Sequence, residues 1–386
     1  MRNPLHAICP YFAVFPEDFV ATQVLTHTQP SDLVLDPFCG RGTTLLESLL
    51  HFRRAIGTDV NPVAACITSA KIDPPDLQEM LEFISGLEYR FENYCVPYIS
   101  LPEFFAECFH EKTLQQVLFL RQILQWRTHP LDRFAAAMML GCLHGESHRS
   151  SLYLSNRMPR TISTKPAYSV EWWRKNNCVA PHRNAFGVLR RLSVLRLTRS
   201  APPLTGVAKM ADVRNAAACF PEHLGEVRLV LTSPPYFDVT DYGEDQWLRL
   251  WFLGGPPEPV RNLHPDSRHR DLGRYWEFLS SAWSGILPLL HEECTIAVRI
   301  GGRLSKESLG RGLLATLKAG LPECTTVPCY SSSTEIGNGQ VQSFRPGVSK
   351  HGRAEHDFTY RLRRSRAPGR VASSARSNST ALVDQD

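Results

Sequence analysis

Leu33-Val34-Leu35-Asp36-Pro37-Phe38-Cys39-Gly40-Arg41-Gly42-Thr43-Thr44-Leu45-Leu46-Glu47 decides the fold. Its order predicts a short apolar strand, a glycine turn and then a helix. Gly40 and Gly42 let the backbone approach a ligand closely, because no Cβ intervenes. Thr44 and Glu47 have capping-box spacing, which predicts the helix start. The N-terminus of such a helix favours an anionic group, for example a carboxylate. A phosphate-binding P-loop is excluded, since no Gly-Lys-Ser/Thr follows at the required spacing.

Working outward, a second strand is predicted over Ala55-Ile56-Gly57-Thr58-Asp59. It ends in an acid close to the distance at which a carboxylate grips ribose hydroxyls in nucleoside-binding sheets. Asn61-Pro62 is itself a helix start signal, so Asp59 has a second reading as a cap. Upstream, Pro10-Tyr11-Phe12-Ala13-Val14-Phe15-Pro16 leads into a helix expected to begin at Pro16. A third strand is expected near Val207–Asp212, ending in the acid Asp212.

A fourth strand, Val227 to Leu231, runs into Thr232-Ser233-Pro234-Pro235-Tyr236. Two prolines cannot continue a ladder. The strand end therefore presents a hydroxyl, carbonyls and an aromatic ring where ligands bind in parallel sheets. Ser233 and a proline carbonyl can accept hydrogen bonds from an exocyclic amine, and Tyr236 can stack on a flat ring. The helix around Trp247, Leu250, Trp251 and Leu253 is expected to wall the pocket or pack beneath it. A fifth strand is expected over Cys294–Ile300, and two closing antiparallel strands over 324–330 and 356–363.

The composition is that of a soluble globular protein, 43% hydrophobic and 21% charged. No apolar run reaches membrane-spanning length, and no secretory leader is seen. Eleven scattered cysteines without a Cys-x-x-Cys pair favour reduced thiols and a cytoplasmic setting. Net charge is +5, yet His148 to Arg199 carries eleven basic residues against one acid, Glu171. That block holds +10 and the remainder −5, which suggests a localised surface for a polyanion. Tyr153, Tyr168, Trp172, Trp173 and Phe186 are interleaved with it, and they can stack on bases or form an aromatic mini-core.

The block lies within residues 73–205, which interrupt the sheet pattern. Asp73-Pro74-Pro75-Asp76 reads as a helix boundary, and residues 111–144 as helical. His144 and His148 stand four apart, on one face if helical, but without a third ligand a metal site is not expected. Residues 365–386 read as a disordered tail.

Asp-Pro-Phe-x-Gly-x-Gly-Thr-Thr, an acid at the next strand end, and a later Ser-Pro-Pro-Tyr together resemble the amino-group DNA methyltransferases. The resemblance implies a Rossmann-like class I methyltransferase sheet, an α/β fold, with a largely helical, basic insertion between the second and third strands. The chain then divides into a catalytic domain over 1–72 and 206–364 and the tail. The insertion over 73–205 is the candidate for target recognition by its position and basic charge, a departure from the family's commonest layouts. The resemblance implies S-adenosyl-L-methionine as cofactor, held by Phe15, Asp36, Phe38, Gly40, Gly42, Thr43, Asp59 and Asp212. Ser233, Pro234, Pro235 and Tyr236 become catalytic. Double-stranded DNA becomes the partner, contacted through Arg157, Arg160, Lys165, Arg174, Lys175 and Arg183, with a separate cognate endonuclease as a further partner.

Serine at the first motif position is similar to the cytosine-N4 group, with adenine N6 as the alternative. A carbon-5 mechanism would need a cysteine nucleophile. Pro328-Cys329 lies far past the fourth strand and reads as a core cysteine. RNA or protein methylation, and a silent DNA-binding homologue, stay open as other classes.

Overall fold

The computed structural model describes residues 2–11, 15–95, 100–158, 165–199, 201–237, 242–260, 271–302, 304–335 and 354–364. Arg160, the middle of the Pro10–Pro16 motif and the tail 365–386 fall outside the described residues. Seven strands form one sheet: β1 (Leu33–Asp36), β2 (Arg54–Asp59), β3 (Val207–Met210), β4 (Val227–Thr232), β5 (Leu290–Gly301), β6 (Cys324–Glu335) and β7 (Ala354–Arg364). Their order is β3-β2-β1-β4-β5-β7-β6. The first five run parallel, and β7 is antiparallel to both β5 and β6. This is the Rossmann-like α/β sheet the sequence predicted. The last three strands are longer than expected.

Alternating residues send side chains to opposite faces of the sheet. Val34, Leu229, Leu231 and Ala297 share one face with Val20 and Val24 of α1 (Glu17–His27). On that side, Leu45 and Leu49 of α2 (Thr43–Leu50) pack on Ala55 with Ile72 of α3 (Pro62–Ile72). Leu33, Leu35, Val230, Ile296, Val298 and Ile300 line the opposite face. Helices at 272–286 and 306–320 cover them through Leu279, Trp283, Leu313 and Leu317.

Between α3 and β3 the chain is helical: α4 (Leu77–Glu92), α5 (Glu103–Cys108), α6 (Glu111–Ile123), α7 (Pro130–Cys142), α8 (Pro166–Lys175) and α9 (Ala185–Leu197). The boundary at 73–76 forms as read, with Asp76 capping α4 through Gln78 N at 2.7 Å. The stretch expected to be helical over 111–144 forms two helices separated by residues 124–129, and Pro130 takes the first position of α7, where proline is favoured. These helices share one apolar cluster with Val63, Cys66, Ile67 and Ala70 of α3. Trp247 and Trp251 join it, wedged against Phe104 and Phe105. The Trp247–Phe252 helix therefore packs into the helical region.

Three further expectations are corrected. The capping box does not form, because Gly42 precedes the helix and Thr44 and Glu47 turn to other partners. His144 and His148 lie past the end of α7, one buried and the other exposed, so they share no helix face. Cys329 is exposed on the edge strand β6, at the bulge between Pro328 and Tyr330. No group of three or more metal-ligating side chains occurs among the described residues. Nor is any described helix long and apolar enough to cross a membrane.

Candidate active site at the switch point

In this strand order, β1 has β2 on one side and β4 on the other. Connections from β1 and β4 leave on different sides of the sheet, which opens a crevice at their carboxyl ends. The two motifs lie there, one on each strand. Asp36 ends β1 and is 2% exposed. Its Oδ1 accepts from Thr232 Oγ1 at 2.7 Å, at the end of β4, and from Phe38 N at 3.1 Å. Thr44 Oγ1 reaches across to the Leu231 carbonyl at 3.3 Å. The glycine turn and the Ser-Pro-Pro-Tyr strand are thus tied side chain to strand. Burial pushes the Asp36 carboxyl up to about 6, against the hydrogen bonds it accepts.

The turn closes in steps. Gly42 N donates to Cys39 O at 2.7 Å, with Gly42 at φ 73°. That left-handed backbone is strained for any residue with a Cβ, and a Cβ here would also come within 2.7 Å of Thr68 Oγ1. Gly57 on β2 allows the turn to lie against the sheet, because a Cβ there would meet Cys39 Sγ at 2.4 Å and Asp36 O at 2.5 Å. Lys71, fully buried, donates from Nζ to the Arg41 carbonyl at 2.5 Å.

Asp59 accepts from Gly40 N at 2.9 Å through Oδ2 and from Asn61 N at 2.8 Å through Oδ1. It fastens the turn while each oxygen keeps lone-pair capacity for a further donor. Burial raises its carboxyl to about 6. Both sequence readings at this spot are realised, since Asn61 caps α3 through Val63 N at 2.9 Å. Asn61 Nδ2 also donates to the Tyr11 hydroxyl at 3.2 Å, which brings the upstream motif over the turn. Thr43 opens α2, and its hydroxyl accepts from Arg41 Nε at 3.3 Å. Phe38 meets Phe278 edge-on at 5.9 Å. Phe15 is buried on the sheet beside Phe19, whose ring carries the Arg299 guanidinium at 3.9 Å. Asp212 follows β3 and holds Arg214 by two side-chain bonds, 3.0 and 2.7 Å.

At the end of β4, Ser233 Oγ donates to the Tyr236 hydroxyl at 3.4 Å, and that hydroxyl donates to Glu355 Oε1 at 2.8 Å. Tyr236 is 8% exposed, with its ring against Gly301. Burial, and Glu355 beside it, hold the Tyr236 hydroxyl far above its ordinary range. Tyr275 donates to the Pro235 carbonyl at 3.0 Å and braces the turn. Arg299 grips Asp357 through two bonds of 2.7 and 2.9 Å and lies 3.7 Å from Glu355. Thr232, Tyr275 and Glu355 were missed in the sequence. Thr232 adjoins the motif, so its signal was the strand-end position itself. Glu355 lies 119 residues from Tyr236 and gives no local signal.

The basic block is less bare than its composition suggests. Arg174 is held by Glu103 and Glu107 of α5, and Arg190 by Glu88 of α4. Arg157 is exposed and covers the Trp172 ring at 5.5 Å, while Lys165 and Lys175 are exposed. Arg183 is partly buried, with Nε enclosed. Trp173 and Phe186 are fully buried, so part of the aromatic set is core and Tyr168 faces out.

The strand order, with a glycine turn and a proline-ended strand at its switch point, defines a Rossmann-like α/β sheet. Residues 3–69 match a family model described as DNA methylase. The chain is 26% identical over 240 residues to the type II methyltransferase M.MvaI of Kocuria varians, covering 56% of this chain and 50% of that protein. It is 30% identical over 80 residues to M.MjaII of Methanocaldococcus jannaschii, covering 21% of this chain and 15% of the other. The chain spans at most about half the length of the curated relatives it matches. An rRNA methyltransferase structure from Streptomyces viridochromogenes is similar over 92% of this chain and 87% of its own, at 14% identity. Its TM-score is 0.33. These findings support the amino-group DNA methyltransferase family, which spans N4 and N6 specificities.

S-adenosyl-L-methionine is the cofactor of that family, and the turn suits it. α2 starts without a side-chain cap, so its first N–H groups can meet a carboxylate. Asp59 can meet ribose hydroxyls.

Proposed function

We propose that this protein methylates the exocyclic amine of a base in DNA, with the N4 amine of cytosine as the target. The observation that carries the reading is the direct tie between the two motifs: Thr232, next to Ser233, bonds to Asp36 at the glycine turn. A methyl donor on the turn and an amine at Ser233 would then be neighbours. Gly40, Gly42, Thr43 and Asp59 would hold the cofactor, with Phe38 and Asp212 near its adenosine and Phe15 behind. Bound there, S-adenosyl-L-methionine supplies an electrophilic methyl group.

An aromatic amine is a weak nucleophile, because its lone pair is delocalised into the ring. Ser233 Oγ and the Pro234 carbonyl would accept its two N–H groups and favour a more tetrahedral nitrogen. The Pro235 carbonyl is engaged by Tyr275, which leaves the Pro234 carbonyl for this task. Positive charge grows on nitrogen during attack, so these acceptors help the transition state more than the ground state. A base inside a duplex is out of reach and has to be flipped out. Residues 73–205 serve target recognition in this reading. Arg157, Lys165, Arg174, Lys175 and Arg183 are its phosphate contacts, and Arg160 is proposed with them from the sequence alone. A cytoplasmic setting and a separately acting endonuclease fit the same reading.

The test is nucleoside mass spectrometry on DNA from cells expressing the chain, beside Ser233→Ala. N4-methylcytosine that vanishes in the variant supports the proposal. N6-methyladenine keeps the mechanism and overturns the base. Neither mark overturns DNA as substrate.

A further inference from the structure

The hydrogen bonds around Ser233 have a direction. An ionised carboxylate only accepts, so Tyr236 must donate to Glu355 Oε1, at 2.8 Å. The tyrosine oxygen is then left to accept from Ser233, at 3.4 Å. With its own proton committed inward, Ser233 Oγ keeps its lone pairs for an incoming N–H. The chain runs from the motif at the end of β4, beneath the crevice, to a residue on the antiparallel strand β7. The Glu355 side chain is 16% exposed, so its far edge reaches water while Tyr236 is buried.

We propose that Glu355 is a positioning residue that sets the direction of this chain and, through it, takes up the proton the methylated amine must lose. It rests on the amino-group reading above. As the amine nitrogen bonds to the methyl carbon, the S–C bond breaks and its electron pair goes to sulfur. The nitrogen is left positive, with a surplus proton. That proton passes to Ser233 Oγ as Ser233 gives its own to Tyr236, and Tyr236 gives its own to the Glu355 carboxylate. Both hydroxyls are restored, Glu355 ends protonated, and its exposed edge returns the proton to water. No oxidant or further reactant enters.

The titratable groups facing Glu355 are the charged Arg299 from β5 and Asp357 along β7, and the neutral Tyr236 from the turn after β4. Its register partners, Gly301 and Thr334, do not titrate in the working range. Lys306 and Glu307 face the neighbouring His356. Burial raises the Glu355 carboxyl, while the Tyr236 hydrogen bond and Arg299 lower it. Activity should therefore fall as pH drops through a raised carboxyl titration.

The experiment follows methyl transfer from labelled S-adenosyl-L-methionine to unmethylated plasmid DNA across roughly pH 5 to 9, with binding of the cofactor measured by calorimetry. In Glu355→Gln, kcat should drop about 100-fold, the acid limb of the pH profile should vanish, and cofactor binding and KM for DNA should hold. Tyr236→Phe should lose as much, and the double variant no more. Apart from turnover, the Glu355 carboxyl signal in carbon NMR should titrate at higher pH in Tyr236→Phe, which lacks the lowering hydrogen bond. A wild-type profile in Glu355→Gln overturns the proposal, as does a loss matched by weaker cofactor binding, or an unmoved carboxyl titration. Wild-type chain that methylates no DNA defeats the functional reading itself, and the proton step with it.

Discussion

Asp36 carries its charge where burial makes charge costly. Its carboxyl is raised to about 6 from an ordinary value of 3.8, so the folded state binds its proton more tightly than the unfolded chain. A group raised this way stabilises most below its unfolded value, and that contribution is lost as pH rises through about 6. Asp36→Asn keeps an acceptor for Thr232 without the charge. Denaturant titrations should show the variant gaining on wild type by roughly 3 kcal/mol between pH 4 and pH 8; a constant difference would deny the buried charge.

Asp59 behaves in the opposite sense for binding. Its ionised oxygens accept from Gly40 N and would accept from ribose. Cofactor affinity should weaken as pH falls through about 6, and Asp59→Asn should bind weakly with a flat pH profile by calorimetry. Ser233→Ala should bind cofactor as wild type does and lose at least about 100-fold in transfer. These residues were legible because each sits at a strand end, where a short motif and a turn announce it. Glu355 was not, since only pairing of β7 with β5 brings it beneath Tyr236.

At the scale of elements, β2 and the glycine turn fit through Gly57. Gly57→Ala would force a Cβ to within 2.4 Å of Cys39 Sγ. Overpacking of that kind costs about 1–3 kcal/mol, and a lower melting temperature with poorer cofactor binding should report it. The basic block illustrates the reverse problem. The sequence counted one acid within it, yet α4 and α5 bring Glu88, Glu103 and Glu107 onto Arg190 and Arg174. Reversing Arg174 would break those pairs as well as any DNA contact. Changing the exposed Arg157, Lys165 and Lys175 to glutamate tests the interface more cleanly. DNA affinity should fall and its salt dependence flatten by about one unit of slope per lost phosphate contact. An unchanged slope would remove this face from the interface.

Across the whole molecule, the helical region is no loose appendage. Val63, Cys66, Ile67 and Ala70 of α3 belong to the same apolar cluster as Phe105, Phe119, Phe134 and Trp173. The sheet and the region over 73–205 should therefore unfold together, in one calorimetric transition whose van't Hoff and calorimetric enthalpies agree. Two resolved transitions would make them separable domains.

Local elements were legible in the residues alone: apolar runs that had to be strands, glycines where backbone must come close, prolines that end a ladder, and two motifs of fitting chemistry. Those depend on residues a few positions apart. The capping box failed because the helix starts directly after Gly42, which puts Thr44 inside it, and Thr44 and Glu47 bond instead to Leu231 and His6. Only the tertiary structure decided that β1 and β4 lie side by side, that Tyr236 turns inward to Glu355, and that acids from distant helices cover part of the basic block. Each of these depends on which strands and helices come together, and no local spacing encodes that.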